Sequence, residues 1–72
     1  MNFANLTRDE QIVAKFISEI FEEHNQNMVG TMVWMNNHTN HIASKRPDIH
    51  RVMKNLTTKQ FNRIIAEILL PF

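Results

Sequence analysis

The sequence predicts an all-α fold: a compact bundle of three to four short helices over about 8–24, 28–44, 47–55 and 58–69, forming a single helical domain across 1–72. Three observations predict it. One glycine and two prolines in 72 residues are too few turn-formers for a set of hairpins. Apolar residues recur with a period near 3.6. Two Thr-x-x-Glu/Gln boxes stand where periodic segments begin.

The first helix starts at Thr7-Arg8-Asp9-Glu10. The Thr7 hydroxyl is expected to cap an early amide while Glu10 reaches back, and both acids suit the positive end of the helix dipole. Ile12, Val13, Phe16, Ile17, Ile20 and Phe21 then form one apolar stripe, with Lys15, Ser18, Glu19, Glu22 and Glu23 facing away. Glu22 and Glu23 sit at the negative end, where the dipole disfavours them.

The second helix follows the polar break His24-Asn25-Gln26-Asn27, with Asn27 as its cap. Met28, Met32, Met35, Thr39 and Ile42 share a face, flanked by Val29 and Val33. Asn36-Asn37 is poor helix material, so a fray or kink is expected there. A strand over 28–35 is the competing reading, and no partner strand stands elsewhere in the chain.

Pro47 and Asp48 suit the first turn of a third helix, with Ile49, Val52, Met53 and Leu56 at i, i+3, i+4 and i+7. The last helix repeats the opening device. Thr57 caps, Gln60 reciprocates, and Leu56 with Phe61 makes a hydrophobic staple. Phe61, Ile64, Ile65, Ile68 and Leu69 form its stripe before Pro71. The expected core adds Met32, Val52, Met53, Phe61, Ile64, Ile65 and Ile68 to the stripe of the first helix.

Both Asn-Leu-Thr triplets, at Asn5 and Asn55, therefore read as helix caps rather than glycan acceptors. The first ten residues have neither a basic nor an apolar leader region. No apolar run approaches the roughly 18 residues of a membrane span. Cytoplasmic residence is the expectation.

Charge is uneven. Residues 1–44 carry Arg8 and Lys15 against Asp9, Glu10, Glu19, Glu22 and Glu23, a net −3. Residues 45–72 carry Lys45, Arg46, Arg51, Lys54, Lys59 and Arg63 against Asp48 and Glu67, a net +4. Such halves complement each other, complement a second copy, or present two faces.

Catalysis has little support: there is no cysteine and the only serines, Ser18 and Ser44, lack a nucleophile motif. No cofactor is expected in a chain this small. His38 and His41 stand at a metal-ligand spacing, with His24, His50 or a carboxylate needed as a third ligand, but no metal site is expected.

Trp34, His38, His41 and Lys45 are spaced as a second helical stripe, an aromatic and cationic combination that suits a protein interface. Leu70 and Phe72 make the tail more apolar than a free end needs. The expected function is a small non-enzymatic intracellular adaptor or regulator that binds another protein. Richness in Asn, Ile and Lys fits an AT-rich genome, which admits a phage-type modulator of host or lysis machinery. Self-association is a further reading.

The alternative is DNA binding by a basic face of Arg46, Arg51, Lys54, Lys59 and Arg63. A helix-turn-helix over 47–55 and 58–69 would place Arg51 where a small residue is needed and Lys54 where an apolar one is usual.

Overall fold

The computed structural model describes residues 3–72; Met1 and Asn2, which entered the reading of the N-terminus, lie outside the described residues. Five helices follow in order: α1 (Arg8–Glu23), α2 (Met28–Asn37), α3 (Thr39–Lys45), α4 (Pro47–Asn55) and α5 (Thr58–Leu69). Among the described residues there is no strand.

Both expected capping boxes are complete. Thr7 Oγ1 accepts the Glu10 N–H at 3.2 Å, and Glu10 Oε1 accepts the Thr7 N–H at 2.9 Å. Thr57 and Gln60 do the same for α5 at 3.1 and 2.9 Å. Asn27 caps α2 by accepting the Gly30 N–H at 2.9 Å. The far end of α1 closes with its own device. Asn25 N–H donates to Glu22 O and Gln26 N–H to Phe21 O, at 3.2 and 2.8 Å. That is a Schellman closure, which needs a left-handed residue after the cap. Asn25 supplies it at φ 57°, and Gln26 follows at φ 61°.

The helix expected over 28–44 is two helices. The His38 ring takes over a backbone bond: its Nδ1–H donates to Trp34 O at 2.7 Å. The His38 N–H turns instead to Met35 O at 3.2 Å. One carbonyl of the i→i−4 ladder is thus served by a side chain, and the backbone bends at φ −119°, ψ 26°. The count of five helices rather than three or four follows from this break.

α1 lies at the centre. It packs against α5, α4 and α2, while α3 rests on α2 and α4. α4 and α5 do not pack on one another. The core holds Val13, Ala14, Ile17, Ile20 and Phe21 of α1 with Met35, Ile42, Ile64 and Ile68. Phe16, Met32, Val52, Met53, Phe61 and Ile65, expected inside, are half-buried against it. Ile12 is a correction, since it is 37% exposed. It lies at the edge of the α1 stripe, where the helix faces a groove rather than a neighbour.

Phe3 and Leu6, ahead of the first helix, are also core. Gln11 Nε2 holds their segment down by donating to Phe3 O and Leu6 O, each at 3.0 Å. Among the described residues, no helix is long and apolar enough to cross a membrane.

Candidate partner-binding site

The break at His38 is what shapes the site. It swings α3 so that His41, Ile42 and Lys45 face α1 together with Trp34. Between them runs a groove of about 300 Å³. One wall is α1, with Glu19 and Glu23; the other carries His41, Lys45 and Arg46. Phe16, Ile20, Trp34 and Ile42 supply its apolar surface. A smaller stretch of about 260 Å³ extends it past Phe16, Glu19 and Arg46 to Ile12 and Ile49.

Trp34 is half-buried and ringed by imidazoles. His38 stacks on it with ring centroids 4.3 Å apart at 13°. His41 meets it edge-on at 6.4 Å, and His24 lies tilted at 59° with centroids 6.0 Å apart. The His24 ring is held in turn by Nδ1 donating to Ile20 O at 2.9 Å. His38 and His41 stand 6.4 Å apart. Among the described residues, no group of three His, Cys, Asp or Glu lies close enough to hold a metal ion.

The groove's charges are mostly unspent. Among the described residues the ion pairs are Arg46–Asp48 at 3.5 Å and Arg63–Glu10 at 3.8 Å. Glu19, Glu23 and Lys45 belong to neither. Arg46 also lies over the Phe16 ring at 5.9 Å, a cation–π contact. The Asp48 carboxyl is held below the usual carboxylate range, chiefly by the Ile49 backbone N–H and then by Arg46.

Of the residues expected to meet a partner, Trp34, His38, His41 and Lys45 do come together. Leu70 and Phe72 lie apart, 77% and 62% exposed. Phe72 sets its ring edge on Phe21 at 5.3 Å, away from the groove lining. The basic residues have different neighbours. Arg46 turns to Asp48 and Phe16. Arg63 turns to Glu10. Arg51 lines a separate cleft of about 360 Å³ that also holds Asp9, Thr7 and Gln60. Lys54 and Lys59 remain as exposed single charges. The sequence reading missed Phe16, Glu19 and Glu23 as a wall. The signal was present, since Phe16, Glu19 and Glu23 repeat at helical spacing along one flank of α1.

No known protein family, no curated protein and no solved structure matches this chain.

Proposed function

We propose that this chain is a small non-enzymatic adaptor or regulator that binds another protein through the Trp34 groove. One observation carries the reading: an aromatic-sided groove has acidic and basic walls whose Glu19, Glu23 and Lys45 are not ion-paired among the described residues. An indole in such a setting is the usual anchor of an interface, and walls of opposite sign select the register of what enters.

The separation of α4 from α5 favours this reading over DNA binding. A helix-turn-helix presents its second helix by packing it on the first. Here the basic residues also turn to different neighbours.

The test is a comparative pull-down with the intact chain. Proteins retained by the wild type should be lost with Lys45→Glu and Glu19→Lys, which lie on the surface, and kept with Lys59→Glu. A gel shift at low and high salt runs beside it. Retention that ignores both groove variants, or a salt-sensitive shift abolished by Lys59→Glu, overturns the proposal.

A further inference from the structure

The Trp34 groove is long as well as two-sided. Its two stretches share Phe16, Glu19 and Arg46, and together they run along α1 from Glu23 to Ile12. At a rise of about 1.5 Å per residue that reach is about 16 Å, or about three helical turns. Half-buried Phe16 and Trp34 line it, while Glu19, Glu23, Lys45 and Arg46 are exposed along its sides.

We infer that the groove takes an amphipathic helix of the partner protein, with a narrow apolar seam about three turns long. Its flank toward α1 is basic and its flank toward α3 is acidic. The inference rests on the reading of this groove as the partner site and adds what the partner presents there.

The walls select a helix. The lining comes from α1, α2, α3 and α4, with Arg46 between the last two. Backbone groups inside a helix are already bonded within it, so these walls offer side chains only. An extended segment needs a sheet edge to pair its own backbone, and among the described residues there is no strand. A helix satisfies its backbone internally and asks only for side-chain contact, which Phe16, Ile20, Trp34 and Ile42 offer.

The charges select its flanks. The α1 wall carries Glu19 and Glu23; the other carries Lys45, and Arg46 that is shared with Asp48. Among the described residues no ion pair joins the two walls. A helix basic on both flanks would meet Lys45 and Arg46 with like charge, and one acidic on both would meet Glu19 and Glu23 so. Only mixed flanks complement both walls. α1 also has no base in its last turn, where Glu22 and Glu23 oppose its dipole, so a basic flank there relieves that mismatch.

Three synthetic peptides of about four turns test this, all with one leucine seam and a covalent brace on the outer face that holds them helical. One carries lysine on one flank and glutamate on the other, one lysine on both, one glutamate on both. Each is titrated into the intact chain by calorimetry. The mixed peptide should bind at least about tenfold tighter than either other. Glu19→Lys with Glu23→Lys should shift the preference to the all-glutamate peptide, and Lys45→Glu to the all-lysine one. These positions are exposed, so the helical circular dichroism should not change. An unbraced mixed peptide with a central proline, which breaks the helix, should bind at least about tenfold more weakly.

No binding by the mixed peptide, equal binding by all three, or variants that keep the wild-type preference overturns the inference. Undiminished binding of the proline peptide assigns the groove to an extended segment instead. Self-association of the chain alone, dispersed by Lys45→Glu, assigns it to a second copy, and either result sinks the helix. The pull-down is scored separately: a partner lost with both groove variants while the mixed peptide fails leaves the groove reading standing and removes only the helical occupant.

Discussion

Arg63 Nη1 stands 3.8 Å from Glu10 Oε1, so a half-exposed guanidinium on α5 leans over a carboxylate on α1 that is 1% exposed. Glu10 Oε1 also serves the Thr7 cap, while Oε2 has no hydrogen-bond partner among the described residues. Removing the cation leaves a buried charge unpaired, but the long contact and the exposure of Arg63 limit the loss. Arg63→Met should cost about 1–2 kcal/mol. Glu10→Gln keeps the cap and removes the charge, so it should stay within about 1 kcal/mol of the wild type. The same Arg63→Met change made in a Glu10→Gln chain should then cost less, by at least about 0.5 kcal/mol in a double-mutant cycle from urea denaturation. Additive costs would show that the pair does not couple.

Thr7→Ala and Thr57→Ala should each lose about 1 kcal/mol, because each opens a complete capping box. Thr57→Ser should retain most of that. Equal stability of Thr57→Ala and Thr57→Ser in chemical denaturation would remove the cap from the account of α5.

Two consecutive left-handed residues join α1 to α2, and neither is glycine. A side chain in that conformation costs roughly 1 kcal/mol, less for Asn than for Gln. Gln26→Gly should therefore stabilise the fold by up to about 1 kcal/mol, and Asn25→Gly by less. Thermal unfolding of the two variants would decide it, and a drop in midpoint for Gln26→Gly contradicts the strain.

Asp48 gives a pH dependence whose sign is fixed. Its folded carboxyl titrates below the unfolded one, because the Ile49 N–H and Arg46 favour the charged form. Its contribution is present above the unfolded value and lost as pH falls through the folded one. As pH falls below the ordinary carboxylate value the wild type should lose more stability than Asp48→Asn. Parallel acid titrations of the two chains would contradict this.

The helix starts and the central stripe were legible because local chemistry settles them. Thr7 and Thr57 carry their reciprocating partners three residues on, and Val13, Ile17, Ile20, Ile64 and Ile68 are buried as their spacing requires. The break at His38 was only half legible. Asn36-Asn37 weakened the helix, but the bond that divides it comes from an imidazole capturing Trp34 O. Nor did a capping role reveal that Glu10 is buried, although it stands three, four and seven residues ahead of Val13, Ala14 and Ile17 on the same face. Leu6 escaped for a related reason. Its staple position faces Gln11 rather than an apolar residue, and Gln11 holds it through the backbone instead. As for the site, the Trp34 stripe was readable at helical spacing. The helical spacing of Phe16, Glu19 and Glu23 was there to read, but not that this flank of α1 faces α3 across a groove, which tertiary packing decides.

Trp34 is the chain's sole indole, and it rests face to face on His38 in the wall of the groove. The molecule thus comes with a built-in optical reporter. An occupant that displaces water from that ring, or turns the imidazole lying on it, changes its emission without any label. An event confined to Glu10 and Arg63 leaves the signal untouched, so the emission reports on the groove rather than on that distant pair.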